Sequence, residues 1–376
     1  MKILLINIQY YPYIEGGAEI STQKLAEELA KKNEVYVLCD GEVENGPENI
    51  NGVIVYRTSV RISYNNIFAK ALTRNFKVQC GGRIRNIISI ISPDIIHTNN
   101  LHEFSVIVWK IATELRIPIV HTLRDYSLME KHLLWYEVQT NKYCTKYVTA
   151  VTAPSKYTLC KFVEEGFFSK TRIRVAIPNA IDFSNSDWEQ CAKRKNISSG
   201  CVSFAYCGRF SKDKGIDWLI KVFSNLKYEN ARLHLFGKGE LDEISIGILK
   251  RNHRIVNHGF CDEETLREEL KKCDVVIVPS LWDEPFGRTI LDGYRMACPV
   301  ICTARGGMPE IVEHEKTGYL VSSETDAALL EAMEYFCNSE KIVQMLPNVE
   351  EKLQEYTISK QVESFYKIYS QCLQAE

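Results

Sequence analysis

No stretch of this chain approaches the roughly 20 consecutive apolar residues of a membrane-crossing helix, so any membrane contact is expected to be peripheral. The apolar run behind Lys2, Ile3 to Ile6, is shorter than the about 7 to 15 residues of a signal-peptide core. Thirteen cysteines are present, yet they form neither a Cys-x-x-Cys pair nor a cysteine–histidine array. Zinc ribbons and thioredoxin-like centres are thereby excluded, and reduced, mostly buried thiols in a cytoplasmic protein are expected. An excess of charge of one sign is lacking too: 46 Lys and Arg face 48 Asp and Glu, for a formal net charge of −2. A dedicated nucleic-acid binder needs a cationic footprint, so no nucleic-acid partner is expected. No strand-like run leads into a complete Gly-x-Gly-x-x-Gly. The nearest approach, Gly237-Lys238-Gly239, has Asp242 where the third glycine should stand, which argues against a nicotinamide oxidoreductase.

What is present is ordinary globular composition, 45% hydrophobic and 25% charged, over 376 residues. At about 150 residues per domain that length suggests two lobes. Short apolar runs of strand length alternate with helix-period segments: Ile3–Ile6, Val35–Leu38, Val53–Tyr56, Ile95–His97, Ile119–His121, Val148–Val151 and Val175–Ile177. A polar stretch without apolar period follows, and the alternation restarts with strands at Val202–Cys207, Arg232–Phe236, Ile255–Gly259, Asp274–Val278 and Val300–Cys302. Strands alternating with helices predict parallel α/β sheets. The expected domains are therefore 1–182, a linker over 183–200, 201–355, and a C-terminal helix over 356–376. The last carries Val362, Phe365, Ile368 and Tyr369 at helical spacing and is expected to return to the N-terminal lobe. Open α/β sheets bind ligands at the carboxyl ends of their strands. Two such domains facing an interdomain cleft should place their chemistry just after strands.

Two post-strand segments of the second domain stand out. Val202–Cys207 runs into Gly208-Arg209-Phe210-Ser211-Lys212-Asp213-Lys214-Gly215, where a guanidinium and an ammonium beside free helix amides suit a diphosphate. Solvated loop cations are the plainer alternative. Asp274–Val278 runs into Pro279-Ser280-Leu281-Trp282-Asp283-Glu284-Pro285-Phe286-Gly287-Arg288-Thr289, with Asp292 beyond. Glu284 can reach sugar hydroxyls and Asp292 a ribose diol, because a carboxylate accepts from two adjacent hydroxyls. Backbone N–H groups from Gly287 through Arg288 to Thr289 would then face phosphates.

With these residues in view, the sequence resembles the retaining glycosyltransferases of family four, of GT-B fold, over nearly its whole length. The matching segments are Gly16-Gly17-Ala18-Glu19, Pro93-Asp94-Ile95-Ile96-His97, Ala153-Pro154-Ser155, Ile177-Pro178-Asn179-Ala180-Ile181-Asp182, Gly208-Arg209 with Lys214-Gly215, Pro279-Ser280 with Glu284-Pro285-Phe286-Gly287, Gly306-Gly307-Met308-Pro309-Glu310, and Thr317-Gly318. The resemblance implies transfer of a sugar from a UDP- or GDP-linked donor, with retention at the anomeric carbon. It places Arg209 and Lys214 on the diphosphate and Glu284 on the donor sugar. Gly16 and Gly17 would let backbone approach the donor phosphate or acceptor, and backbone near Gly259 and Phe260 would read the base. Relatives usually have a second Glu where Asp292 stands. They also commonly have a histidine where Thr122-Leu123-Arg124-Asp125 carries Arg124, which stays protonated and cannot act as a base. Arg124 is left to hold an anionic group of donor or acceptor, or to pair with Asp125. His121 is read as a packed strand residue. Acceptor contacts are expected at His97, Asn99 and Asp125. No Asp-x-Asp occurs, so transfer without a bridging metal is expected, with no cofactor.

From Asn49 to Pro93 there is no acid, while Arg57, Arg61, Lys70, Arg74, Lys77, Arg83 and Arg85 alternate with Ile62, Ile67, Phe68, Leu72 and Phe76. Two readings stand: a basic amphipathic surface for an anionic membrane and a lipid-linked glycan acceptor, or a basic helix with its apolar residues in the core. Two other functions also stand beside transfer. One is a non-catalytic sugar-nucleotide-binding protein and the other a sugar-nucleotide epimerase of the same fold, which the Glu284–Gly287 match disfavours.

Overall fold

The computed structural model describes residues 1–14, 16–41, 46–59, 81–101, 104–129, 135–196 and 200–374. The chain divides into two compact units, Met1–Ala180 with Ile358–Glu376, and Ile181–Thr357. In the first unit the order is β1 (Lys2–Ile6), α1 (Gly17–Ala30), β2 (Glu34–Cys39), β3 (Glu48–Ile50), β4 (Val53–Arg57), α2 (helical over 81–91), β5 (Ile95–Thr98), α3 (Ile107–Glu114), β6 (Ile119–Thr122), α4 (Trp135–Cys144), β7 (Ala150–Ala153), α5 (Lys156–Glu164) and β8 (Ile173–Ala176). The second carries α6 (Asn185–Asn196), β9 (Val202–Cys207), α7 (Ile216–Ser224), β10 (Ala231–Phe236), α8 (Glu243–Arg251), β11 (Ile255–Gly259), α9 (Glu263–Leu270), β12 (Val275–Val278), α10 (Arg288–Tyr294), β13 (Val300–Thr303), β14 (Gly318–Val321), α11 (Asp326–Phe336) and α12 (Ser339–Leu353). The final helix, α13 (Ile358–Gln374), belongs to the first unit.

The first sheet runs β3-β4-β2-β1-β5-β6-β7-β8, parallel except for the edge strand β3, which pairs antiparallel with β4. The second runs β11-β10-β9-β12-β13-β14 and is parallel throughout. In each, strand order reverses beside the unit's first strand, at β1/β5 and at β9/β12. Those are the switch points outside which a doubly wound sheet opens a crevice. The central strands are continuously apolar because helices cover both faces: β12 and β13 are buried along their whole length.

The C-terminal helix packs where its stripe requires. Val362, Phe365, Ile368 and Tyr369 join the cluster that holds Leu25, Ala26 and Leu29 of α1, and Gln361 Nε2 donates to the Pro178 carbonyl at 2.6 Å. The expected linker is corrected. Residues 185–196 form α6, whose Trp188, Cys191 and Ala192 enter the core of the second unit, and Trp188 Nε1 donates to the Tyr294 carbonyl at 3.1 Å. Those apolar residues are spaced by three and one along a helix otherwise rich in charge, so no period shows in a short polar window. The edge strands β3 and β14 also escaped the sequence reading, being only three and four residues long. Among the described residues every cysteine is a free thiol, and no helix is long and apolar enough to cross a membrane.

Of the basic segment, Arg57 bonds Glu48 and donates to the Tyr11 carbonyl at 2.7 Å. Arg85 pairs with Glu114, and Arg83 is exposed. Arg61, Lys70, Arg74, Lys77 and the apolar residues between them lie outside the described residues.

Candidate active site

At the switch point of the second unit, the ends of β9 and β12 carry both segments singled out above. After β9 a single turn, Lys212–Lys214, leads through Gly215 into α7. The Leu281 amide donates to the Asp213 carbonyl at 2.8 Å, tying this turn to the loop after β12. The Lys214 ammonium then lies 2.7 Å from Glu284 Oε1 and 4.7 Å from the centroid of the Trp282 ring. Ser280, at the mouth of β12, donates its hydroxyl to the same Glu284 oxygen at 2.6 Å. Both bonds to Oε1 are largely shielded from water, with the Glu284 side chain 12% exposed, so they act at reduced dielectric.

The Glu284 backbone is held from the other side by the loop after β13. The Gly307 amide donates to the Glu284 carbonyl at 2.8 Å. At Gly306, where φ is +58°, a Cβ would come within 2.1 Å of that carbonyl oxygen, so only glycine fits. A similar approach explains Gly237, whose Cβ would meet the Gly208 carbonyl oxygen at 1.8 Å. The Gly237-Lys238-Gly239 run packs beneath the Arg209 loop, with the Phe210 amide donating to the Lys238 carbonyl at 2.8 Å.

Arg209 reaches outward. Its side chain is 69% exposed and touches Asp213 at 3.4 Å, while Tyr206 donates to its carbonyl at 2.7 Å. Phe260 follows the end of β11, is exposed, and has the Lys238 ammonium 4.8 Å from its ring centroid. Gly287 precedes α10, Arg288 opens it, and Thr289 donates to the Cys207 carbonyl at 3.4 Å. Asp292 Oδ1 pairs with Arg295 one turn on, at 3.4 Å. Burial, and secondly the neighbouring Asp292 charge, push the Cys207 thiol well above its usual value, so it stays protonated and is no nucleophile. Of the residues expected at the donor, Phe286 has its ring in the core, edge-on to Tyr356 at 6.0 Å, and its side chain presents almost no surface. Pro285 beside it is buried too.

At the switch point of the first unit the strand ends carry a different chemistry. Asn7 follows β1, Asn99 follows β5, and Arg124 follows β6, all buried. Arg124 Nε donates to Asn99 Oδ1 at 3.0 Å, and its Nη1 donates to Asn179 Oδ1. Asp125 accepts the Ser127 amide at 2.9 Å. Gly16 caps α1 in extended backbone, with Gly17 the first helical residue. The acceptor role expected of His97 is corrected. Its ring is fully buried, with Nδ1 2.7 Å from the Tyr369 hydroxyl and Nε2 2.7 Å from Thr122 Oγ1, so both nitrogens are taken inside the core. His121 is packed as expected, between Trp109 and Phe168, with Nδ1 2.9 Å from Thr98 Oγ1. Burial, together with the Arg124 charge, holds His97 well below its usual value and His121 down to about 3.

Sequence reasoning quoted Ser280, Trp282 and Asn179 inside motifs without assigning them work. A readable signal existed for Ser280 in its position at a strand end, four residues before Glu284.

Residues 189–359 match the family described as glycosyl transferases group 1, and residues 15–185 match glycosyltransferase family 4. A 42.6 kDa protein of the cps region of Klebsiella pneumoniae is 28% identical over 83% of this chain and 87% of its own. O-antigen chain mannosyltransferase C of Escherichia coli is 22% identical over the full length of both. Among solved structures, Anabaena HepE in complex with UDP-glucose is similar in fold, with a TM-score of 0.75 at 19% identity, over 99% of this chain and 100% of its own.

Proposed function

We propose, for a chain that belongs to the family-four, group 1 glycosyltransferases, that it moves a sugar with retention from a UDP- or GDP-sugar to a hydroxyl of a glycan or lipid-linked glycan, in cell-envelope polysaccharide synthesis. Its two Rossmann-like units are those of the GT-B fold. The observation that carries the reading is the meeting of Lys214, Ser280 and Glu284 at the β9/β12 switch point. The Lys214 ammonium and the outward Arg209 guanidinium take the diphosphate. Their charge stabilises the leaving group as its bond to the anomeric carbon lengthens, and this is the kind of electrostatic term that usually dominates. No metal is needed for that step, because the phosphate oxygens depart already anionic against the two cations. The departing phosphate then receives the acceptor's proton on the same face.

Glu284 accepts from donor-sugar hydroxyls, Asp292 from the ribose through the oxygen that Arg295 leaves, and Phe260 lies against the base. Arg124 holds an anionic group of donor or acceptor, with Asn99 and Asn179 fixing its plane. The cps-region and O-antigen relatives support the polysaccharide setting, and the HepE complex supports a UDP-sugar. Calorimetric titration with UDP and then GDP in chelator-containing buffer tests the reading. One nucleotide is expected to bind, and Arg209→Ala to weaken it about 10- to 100-fold, the worth of charged hydrogen bonds. Binding of neither nucleotide, or binding restored only by magnesium, overturns it.

A further inference from the structure

We propose that Ser280 is the positioning residue of the Glu284 carboxylate, committing Oε1 to the protein so that Oε2 alone meets the donor sugar; this rests on the donor role given to Glu284 above. Two donors converge on Oε1, the Ser280 hydroxyl at 2.6 Å and the Lys214 ammonium at 2.7 Å. Oε2 takes no hydrogen bond among the described residues. A carboxylate with both bonds on one oxygen cannot turn about its last torsion without breaking them, so its second oxygen keeps one direction.

The two donors are not equivalent. Lys214 is a flexible side chain on a one-turn loop, and its ammonium also serves the diphosphate in the proposed reaction. Ser280 is 1% exposed, two residues after β12, and its own carbonyl accepts from Thr303 Oγ1 at 2.6 Å, with Thr303 likewise 1% exposed at the end of β13. Adjacent central strands therefore hold the backbone of Ser280, and the Gly306-Gly307 loop holds the backbone of Glu284. As Lys214 is drawn toward phosphate, Ser280 keeps the carboxylate aimed. Alignment to within a fraction of an ångström is what such a supporting bond supplies.

The test compares Ser280→Ala and Ser280→Thr with the wild type by steady-state transfer, by nucleotide calorimetry, and by the NMR chemical shift of the Glu284 side-chain carboxyl, assigned through Glu284→Gln. In Ser280→Ala, kcat is expected to fall about tenfold or more while nucleotide affinity and melting temperature hold. The Glu284 carboxyl resonance is expected to move, since the hydroxyl bonded to Oε1 is gone. Ser280→Thr, which keeps the hydroxyl, is expected to restore both. An unmoved carboxyl resonance in Ser280→Ala, or a folded Ser280→Thr as slow as the alanine variant, overturns the proposal. If the wild type itself binds no nucleotide, the transferase reading fails, and the carboxyl resonance by itself still decides whether Ser280 holds Glu284.

Discussion

The two units repeat one architecture and finish it differently. Both reverse strand order beside their first strand, and both place functional candidates just past that point. In the second unit the post-strand loops are shaped by backbone: Gly237 and Gly306 allow main chain to approach main chain closely, while Arg209 and Asp213 stay exposed and Lys214 and Glu284 are largely covered. In the first unit the strand ends are shaped by side chains, with Asn7, His97, Asn99, His121 and Arg124 buried and the last four hydrogen-bonded to side chains of neighbouring segments. A site built from backbone shape can be recognised from glycine positions alone. A site built from interlocked side chains has no such code, because each residue's role depends on a partner far away in sequence.

The largest effect should sharpen this contrast in favour of the second unit. Glu284→Gln is expected to lower the transfer rate by about 100- to 1,000-fold, as for other lost transition-state contacts, while nucleotide still binds by calorimetry. A variant with transfer within about threefold of wild type would place the key carboxylate elsewhere.

Acid should act on the first unit instead. His97 and His121 have folded values below the unfolded value of about 6.5, and burial is the leading cause for both. The unfolded chain therefore binds their protons first. Stability is complete above about pH 6.5 and is lost as pH falls toward the folded values. At pH 5, His121 alone, held to about 3, accounts for about 2 kcal/mol. In the second unit His234 is also lowered, mainly by burial, but it is only half-buried and its effect should be smaller. Calorimetry at pH 7 and 5 on wild type and His121→Gln checks this, and an equal acid loss in both proteins would break the contrast.

The smallest effect tests the backbone half of it. Gly306→Ala puts a Cβ where φ is +58° and the Glu284 carbonyl oxygen is 2.1 Å away. It should cost more than about 1 kcal/mol by urea unfolding; a neutral result would mean that the loop relaxes freely.

Much of the second unit was legible in this way. Lys214 and Glu284 were named from their loops, and the structure brings their side chains together across 70 positions of sequence. Phe286 reads as a donor contact because it sits inside the motif, while its ring fills the core against Tyr356. His97 misled for the complementary reason: a strand-end histidine looks available until Tyr369, 272 residues later, closes over it. The supposed linker hid Trp188, Cys191 and Ala192 among charges, and only the surface they cover reveals them as core.

By itself, then, the sequence determined the alternation of strands and helices, the two parallel sheets, the returning C-terminal helix and the loops after β9 and β12 that carry Lys214 and Glu284. These follow from local periodicity and from backbone geometry that a residue carries wherever it stands. Tertiary structure alone decided which oxygen of Glu284 is held, which histidines are sealed, and what Arg124 rests against, because hydrogen bonds between side chains depend on distances that only the packed fold sets.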